Sequence, residues 1–240
     1  MTTSIPESTM LTVEVLPENN KRTGTATELK MIAGPDVFTP LHDTSLAFKL
    51  LEDHLDSLSS TSGLKIADFG SGTGQFAVWT KNLFPDTDVH AYDIDPNTEK
   101  YINANAELYN VDITTHIMDV DDIANTEKFD AIISTPPFFP EALKKLEHTK
   151  LDMGIHLDDP DISKFGGLNG LQYSKVFIEK AGKTLKSGGI LVSVHSILQG
   201  DNIDQMLRDN GFENILRKPT DIDSTLITLC SPSFTIAFKK

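Results

Sequence analysis

The sequence predicts an α/β protein with a mostly parallel, seven-stranded sheet, helices on both faces of that sheet, and a β-hairpin in front of it. Three observations support this fold class. From about residue 64 onward, short apolar runs alternate with amphipathic segments of helical period, the pattern of a parallel sheet with crossover helices. The first apolar run leads into a turn containing Gly70, Gly72 and Gly74. Finally, 240 residues with 39% hydrophobic content are enough to bury a full core.

The N-terminal part of the chain favours two short strands. Residues Leu11–Leu16 alternate apolar and polar side chains, Pro17–Asn20 has turn composition, and a second strand is expected at about Thr25–Ile32. We therefore expect an N-terminal segment with a β-hairpin over residues 1–35 and one larger domain over residues 36–240.

The larger domain is predicted to contain seven strands and five helices. The expected strands are Leu64–Asp68, Val89–Asp93, Ile113–Met118, Phe129–Ser134, Ile190–His195, Phe212–Leu216 and Ser233–Phe238. The expected helices are Thr44–Leu58, capped by Asp43 or Thr44, a helix from the glycine turn to Leu83, then Pro96–Tyr109, Leu171–Leu185 and Ile203–Asn210. Residues 141–168 mix charges with Gly and Pro, which indicates a functional lid rather than scaffold.

Composition limits the partners and the compartment. A formal net charge of −14 without a basic stripe makes nucleic acid a poor partner, because phosphates are repelled. Cys230 is the only cysteine, and the seven histidines have no metal-ligand spacing, so we expect neither disulfide nor metal. The N-terminus does not resemble a signal peptide and no apolar run is long enough to span a bilayer, so we expect no membrane partner and a soluble, cytoplasmic protein.

The spacing of the glycine turn identifies its ligand class. A dinucleotide fingerprint needs glycine at the sixth position, where this chain has Gln75, and a P-loop needs a Gly-Lys-Ser/Thr sequence that is absent. The remaining pattern, Asp-x-Gly-x-Gly-x-Gly, resembles the first motif of S-adenosylmethionine (SAM)-dependent methyltransferases with a Rossmann-like fold. The resemblance implies SAM as cofactor, with binding residues Asp68, Gly70, Ser71, Gly72 and Gly74.

Two further strand ends carry acidic residues where a doubly wound sheet binds its ligand. Asp93 follows the glycine turn by a distance typical of a βαβ unit and is predicted to accept hydrogen bonds from both ribose hydroxyls of SAM. Ile94, beside it, is predicted to be a further cofactor-binding residue. Asp95 precedes Pro96 and is interpreted as a helix N-cap. Asp119 is predicted to accept a hydrogen bond from the adenine amino group of SAM. The alternative is that Asp119 is a solvated carboxylate in a loop.

The fourth strand ends in Thr135, Pro136, Pro137 and Phe138, which we interpret as the catalytic residues. Consecutive prolines fix the backbone and leave carbonyl oxygens facing a cleft beside an aromatic ring. Such a site suits a planar nitrogen, whose N–H groups donate to the side chain and a proline carbonyl while its lone pair faces the methyl group. Thr135 is also counted among the cofactor-binding residues. Taken alone, the segment would be interpreted as a proline turn after a strand, but its position one βαβαβ unit after the glycine turn favours the functional interpretation.

The order of these motifs resembles the HemK-type protein-glutamine methyltransferases, which modify the Gly-Gly-Gln tip of translation release factors. That family has Asn-Pro-Pro-Tyr where this chain has Thr135–Phe138, and its Gly-Gly-x-Asp-Gly-Leu segment is matched by Gly166–Leu171. Its early Pro-Arg-Pro loop is matched loosely by Val37–Ser45. The resemblance covers about Leu29 to Leu216 and implies protein glutamine as the methyl acceptor.

The departures from the family concern substrate binding. The family's asparagine offers an amide both a donor and an acceptor, whereas the Thr135 hydroxyl is shorter. In the early loop, Leu41, His42 and Ser45 replace the family's arginine, proline and acid. The acceptor is therefore either a protein glutamine or a small-molecule amine, amide or guanidine. A cationic acceptor would need carboxylates, which the lid residues Asp158, Asp159 and Asp161 would supply unless they are simply solvated.

Two alternatives concern catalysis itself. The missing asparagine at position 135 also allows a SAM-binding partner subunit that has lost activity. For an active enzyme, His42 and His195 are candidates to border the cleft and take a proton, although methyl transfer depends mainly on alignment and desolvation.

Overall fold

The computed structural model describes residues 10–14, 28–38, 45–145, 161–219 and 232–240. Within these ranges the strands and helices follow one another as the sequence predicts. The strands are β1 (Met10–Glu14), β2 (Glu28–Ile32), β3 (Lys65–Phe69), β4 (Asp88–Asp93), β5 (Thr114–Ile117), β6 (Phe129–Ser134), β7 (Leu185–Ser196), β8 (Phe212–Pro219) and β9 (Pro232–Lys239). The helices are α1 (Ser45–Ser57), α2 (Gln75–Leu83), α3 (Thr98–Tyr109), α4 (Asp161–Lys164), α5 (Gln172–Thr184) and α6 (Gly200–Asp209).

The main sheet has the strand order β5-β4-β3-β6-β7-β9-β8. Neighbours from β5 to β7 are parallel, whereas β9 is antiparallel to both β7 and β8. This arrangement confirms the predicted mostly parallel, seven-stranded sheet. The strand order reverses between β3 and β6, and a doubly wound sheet binds its ligand at the carboxyl ends of the strands beside such a reversal.

The two N-terminal strands form a separate antiparallel pair in which Met10 is opposite Ile32. The predicted turn at Pro17–Asn20 lies outside the described residues. β2 also joins the main domain, because the Ile32 amide donates to Asn105 Oδ1 at 2.7 Å and Asn105 Nδ2 donates to the Ile32 carbonyl at 2.9 Å. These bonds attach β2 to α3, which flanks the glycine turn.

Apolar side chains pack against both faces of the sheet. On one face, alternate β7 residues such as Val192 pack with α1 and α2, including Phe48 and Trp79. On the other face, Leu191 packs with α5 and α6, including Phe177. Because successive strand residues point to opposite faces, the strands supply both layers at once. The predicted helices on both faces are therefore confirmed.

Some helix boundaries differ from the sequence-based expectation for a local reason. α3 begins at Thr98 and not at Pro96, since Asp95 Oδ1 accepts the Asn97 amide at 2.9 Å and closes a turn before the helix. α6 begins at Gly200, ahead of the expected Ile203, because a short 3₁₀ turn, Ile197–Gln199, leads directly into it.

The predicted lid is partly described. It begins with a 3₁₀ turn at Glu141–Lys145 and resumes with the short helix α4. Residues 146–160, including the proposed Asp158 and Asp159, lie outside the described residues. After α4 the chain packs against the end of β6, where an isolated bridge pairs Phe139 with Phe165.

Candidate active site

One cleft at the carboxyl ends of β3 to β6 contains most of the residues proposed from the sequence. The glycine turn and the acidic residues lie along one part of it, and the segment after β6 lies along another. The proposed residues that line it are Gly70, Ser71, Gly72, Asp93, Ile94, Asp119, Thr135, Pro136, Pro137 and Phe138. Asp68 and Gly74 are not part of the lining, and their contacts place them directly behind it.

The glycine turn is held against the end of β4. The amides of Gly70 and Ser71 both donate to the Tyr92 carbonyl, at 2.9 and 3.1 Å, and the Ser71 hydroxyl donates to the same oxygen at 3.2 Å. Gly72 and Gly74 have φ values of 54° and 80°, a left-handed conformation that favours glycine. A Cβ at Gly72 would meet no atom within 4 Å, so this residue leaves room for a ligand close to the backbone.

Asp68 lies buried behind the turn, with 1% of its surface exposed. Its Oδ2 accepts the Ala77 amide at 3.2 Å, while Oδ1 has no hydrogen-bond partner among the described residues. Burial raises the pKa of this carboxyl to about 8, and the nearby Asp93 charge adds to the shift. A positively charged ligand at the turn would therefore favour the ionised form of Asp68.

Asp93 links the turn to β4. Its Oδ2 accepts the Gly72 amide at 2.8 Å and its Oδ1 accepts the Asp95 amide at 2.9 Å. Burial raises the pKa of the Asp93 carboxyl, against the effect of these backbone bonds. A carboxylate has about four lone-pair directions, so Asp93 keeps acceptor capacity for a ligand hydroxyl. Beside it, Ile94 is 49% exposed and offers an apolar surface at the cleft.

Asp95 and Asp119 both serve short turns. Asp95 Oδ1 accepts from the backbone and side-chain nitrogens of Asn97 and closes a turn before α3. The prediction that Asp95 is the helix N-cap is wrong, because α3 begins at Thr98 and its N-cap position is Asn97. Asp119 Oδ1 accepts the Asp121 amide at 2.9 Å and caps a 3₁₀ turn. Asp119 also lines the cleft, and its second oxygen takes no part in that cap.

The segment after β6 has a buried hydroxyl and fixed carbonyls. Thr135 Oγ1 is buried and has no hydrogen-bond partner among the described residues. The Phe138 carbonyl accepts Gln199 Nε2 at 3.0 Å, and the same nitrogen donates to the Asn169 carbonyl at 3.1 Å. Gln199 Oε1 accepts the Ser196 amide at 3.2 Å. The side chain of Gln199 thus fixes the cleft segment to the loop before α5.

Two glycines of the Gly166–Leu171 segment allow this close packing. A Cβ at Gly166 would lie 2.3 Å from the Pro137 carbonyl oxygen, and one at Gly170 would lie 2.1 Å from the Phe138 carbonyl oxygen. Both contacts are far shorter than a carbon and an oxygen can approach. The Gly-Gly pattern recognised in the sequence therefore has a structural reason, which is the approach of two backbones at the cleft.

Sequence reasoning missed several residues at the site, among them Gln199. Lys164 and Tyr173 line the cleft but had no motif to mark them. For Gln199 a signal was available, because Ser196 and Gln199 have the Ser-x-x-Gln spacing of a capping box, and that box is formed. The capping box predicts a turn but not the additional bonds to Phe138 and Asn169.

His195 does not border the cleft. Val194 lines it, and the next residue of β7 points to the opposite face, where His195 Nδ1 lies 3.3 Å from Ser174 Oγ. Burial lowers the pKa of His195 to about 3. His195 is thus a neutral core residue, and the suggestion that it takes a proton at the cleft is not supported by its position. His42, the other candidate, lies outside the described residues.

The groups at the glycine turn fit SAM. The space at Gly72 allows close backbone approach, Asp93 lines the cleft with acceptor capacity for ribose hydroxyls, and the buried Asp68 carboxyl lies behind the turn with one oxygen unpaired among the described residues. When bound, SAM supplies a methyl group on a positively charged sulfur.

Among the described residues, no cluster of three or more His, Cys, Asp or Glu side chains is arranged to hold a metal. None of the described helices has the length and apolar character that crossing a membrane requires.

Comparison with known proteins agrees with this geometry. Residues 28–153 match the methyltransferase small domain family. A release factor glutamine methyltransferase from Gloeobacter violaceus is 29% identical over 77% of this chain and 63% of its own length. One from Bifidobacterium longum is 25% identical over 77% of this chain and 65% of its own length. The chain therefore spans slightly less than two thirds of the length of these relatives.

Solved structures share the fold. The ribosomal protein L11 methylase from Lactobacillus delbrueckii has a TM-score of 0.57 and 18% identity, covering 95% of this chain and 99% of its own. The Thermus thermophilus 16S rRNA N2 G1207 methyltransferase, solved with SAM and guanosine, has a TM-score of 0.60 and 15% identity, covering 99% of this chain and 52% of its own. From the match over more than half of its length, the chain belongs to the methyltransferase small domain family of SAM-dependent enzymes.

Proposed function

We propose that this protein methylates the side-chain amide nitrogen of a protein glutamine. The observation that carries the proposal is the position of Thr135–Phe138 in the same cleft as the glycine turn and Asp93. The relatives of similar sequence are named release factor glutamine methyltransferases, which supports the same class of acceptor.

The residues after β6 would align the amide. The two prolines lack N–H groups, so the backbone there offers carbonyl oxygens to an amide N–H. Because the Phe138 carbonyl already accepts Gln199, the preceding carbonyls are the ones left to do so. The buried Thr135 hydroxyl has no other partner among the described residues, and the Phe138 ring gives a flat apolar surface for the planar amide. Alignment at close range supplies most of the rate enhancement that such a transfer needs.

The transfer forms a carbon–nitrogen bond as the carbon–sulfur bond breaks, and the amide nitrogen loses one proton. The described part of the cleft has no histidine in its lining. In this proposal the proton passes to water, and the chain contributes orientation and exclusion of bulk solvent rather than a dedicated base.

A labelled-methyl assay tests the proposal with two sets of acceptors, a release factor carrying the Gly-Gly-Gln tip and a panel of free amines, amides and guanidines. We expect labelling of the release-factor glutamine. Turnover of small molecules alone would replace the protein acceptor with a small one. SAM binding without turnover of any acceptor would favour a non-catalytic subunit.

Thr135→Asn sharpens this assay. If the acceptor is a glutamine amide, the substitution restores a paired donor and acceptor, and labelling of the Gly-Gly-Gln protein should stay equal or rise. If the acceptor is a small amine or guanidine, the same substitution should lower its turnover.

A further inference from the structure

Helix α3 holds the N-terminal part of the chain at three points. Tyr101, Asn105 and Tyr109 are spaced four residues apart, so they lie along one face of the helix. The Tyr109 hydroxyl accepts the Lys30 amide at 2.7 Å and donates to the Lys30 carbonyl at 3.1 Å. The Tyr101 hydroxyl donates to Asp36 Oδ1. Asn105 lies between these two tyrosines and also reaches a third segment.

Asn105 bonds the main chains of two segments that are far apart in sequence. Its side chain is fully buried. The bonds to the Ile32 amide and carbonyl use Oδ1 and one hydrogen of Nδ2, so the side-chain amide takes the place of a neighbouring strand. Nδ2 also donates to the Thr73 carbonyl at 2.9 Å. Asn105 therefore links the end of β2 directly to the glycine turn.

The glycine turn is in contact with α3 at the same place. Thr73 lies between Gly72 and Gly74 and lines the cleft. A Cβ at Gly74 would lie 3.2 Å from the Ile102 side chain and 3.3 Å from its Cα, so the turn and the helix approach closely. The glycine turn is thus held from two sides, by the end of β4 and by Asn105 on α3.

The residues that follow β2 reach the same cleft. Val37 and Phe38 belong to its lining. Val37 is buried in a cluster with Ala33 and Tyr101, and the bond from Tyr101 fixes Asp36 next to it. Helix α3 therefore positions both the glycine turn and the N-terminal residues that line the cleft.

β2 has a second attachment that does not involve Asn105. Leu29 and Met31 are completely buried and belong to the same core cluster as Phe48 of α1. β2 should therefore stay in place when the Asn105 side chain is truncated. A change in ligand affinity on truncation then reports the bond to Thr73 rather than the loss of the strand.

We propose that Asn105 is a positioning residue for SAM and that it couples the attachment of β2 to cofactor binding at the glycine turn. The Thr73 carbonyl and the Ile32 backbone share one amide group, so a ligand that fixes the turn also fixes the end of β2. Such coupling is reciprocal, since SAM strengthens the attachment by the same factor by which the attachment strengthens SAM binding. The inference rests on SAM as cofactor and does not depend on the identity of the methyl acceptor.

The first test compares Asn105→Ala with Tyr109→Phe in the full chain. Each variant removes bonds to β2 from the same face of α3, but only Asn105→Ala leaves the Thr73 carbonyl without its donor. We expect Asn105→Ala to raise the Kd for SAM about tenfold by calorimetry, because an unpaired buried carbonyl destabilises the turn. Tyr109→Phe should leave the Kd unchanged. Equal Kd values for the two variants, both folded by circular dichroism, would overturn the role of Asn105.

The second test uses the wild-type chain, so it remains decisive if Asn105→Ala does not fold. Backbone amide exchange is measured under native conditions with and without saturating S-adenosylhomocysteine. We expect the ligand to slow exchange of the Ile32 amide about tenfold, the factor that reciprocity requires, with little change in the local opening of the edge strand β8. An unchanged Ile32 amide, or equal slowing at Ile32 and in β8, would show that β2 is not coupled to the cofactor site.

Discussion

The two parts of the cleft satisfy their polar groups in different ways. At the glycine turn, the backbone amides of Gly70 and Ser71 bind the Tyr92 carbonyl, and the Gly72 amide binds Asp93, so the turn is held in shape before any ligand arrives. At the segment after β6, the Thr135 hydroxyl has no partner in the described part of the chain. The comparison indicates a glycine turn that the protein's own bonds hold in shape, with Asp68 Oδ1 unpaired behind it, and a segment after β6 whose Thr135 hydroxyl has no partner among the described residues.

The support for the acceptor segment comes from outside its own stretch of chain. Gln199 binds the Phe138 carbonyl and Gly166 packs closely beside the Pro137 carbonyl, whereas the glycine turn is held by Tyr92 and Asp93 at the end of the neighbouring strand β4. Substitutions in the two regions should therefore have separable effects, on acceptor turnover in one case and on SAM affinity in the other.

The largest effect is expected from Gly170→Ala. The new Cβ would lie 2.1 Å from the Phe138 carbonyl oxygen and 2.4 Å from Gln199 Nε2, which forces the acceptor segment to move. A displacement of about 1 Å at a reacting centre lowers kcat/KM by roughly 100-fold, and we expect a loss of that size with SAM affinity retained.

Gly63→Ala is the matched control for Gly170→Ala. Gly63 has a φ of 74°, close to the 75° of Gly170, but a Cβ there meets no atom within 4 Å. Both variants carry the strain of a left-handed alanine, about 1–2 kcal/mol of stability, but only Gly170→Ala should lose turnover. Equal kinetics for the two variants would show that the packing at Phe138 does not position the acceptor.

The next effect concerns the cofactor region. Asp93→Ala removes the proposed acceptor for ribose hydroxyls and releases the Gly72 amide, so SAM affinity should fall by about 1–3 kcal/mol, or roughly fivefold to 150-fold. Asp95→Ala removes the acceptor of the Asn97 amide and should cost stability at the turn before α3, about 1 kcal/mol, with a smaller change in affinity. Calorimetry and thermal unfolding of both variants measure this. A greater loss of affinity in Asp95→Ala would reverse the assignment.

The last effect is a pH dependence at Asp68. Its pKa of about 8 is above the usual value of 3.8, so its contribution to the stability of the ligand-free chain is greatest below pH 4 and is lost as the pH rises through 8. A cationic ligand favours the ionised carboxylate. SAM affinity should therefore rise between pH 6 and 8, by at most about tenfold per unit, and binding should release a proton.

Asp68→Asn should abolish this pH dependence while leaving a hydrogen-bond acceptor for the Ala77 amide. Calorimetry in two buffers of different ionisation enthalpy counts the released protons. If wild type and Asp68→Asn release the same number of protons, another group is responsible.

Local patterns were enough to predict most of the fold. The seven strands, the glycine turn and the acidic strand ends depend on residues close together in sequence, where spacing and periodicity act directly. The prediction was less reliable at boundaries such as Thr98, because the side chain of Asp95 competes with the helix for the backbone groups of the turn.

The sequence alone determined the sheet, the class of cofactor and the identity of the cleft segment at Thr135–Phe138, because each has a short-range signature. Only the tertiary structure decided that His195 lies on the face opposite Val194, that the segment around Phe165 packs against the end of β6, and that Gln199 binds the Phe138 carbonyl 61 positions away. The physical reason is that side-chain partners across distant segments depend on how strands and loops are paired in space, and no local spacing encodes that pairing.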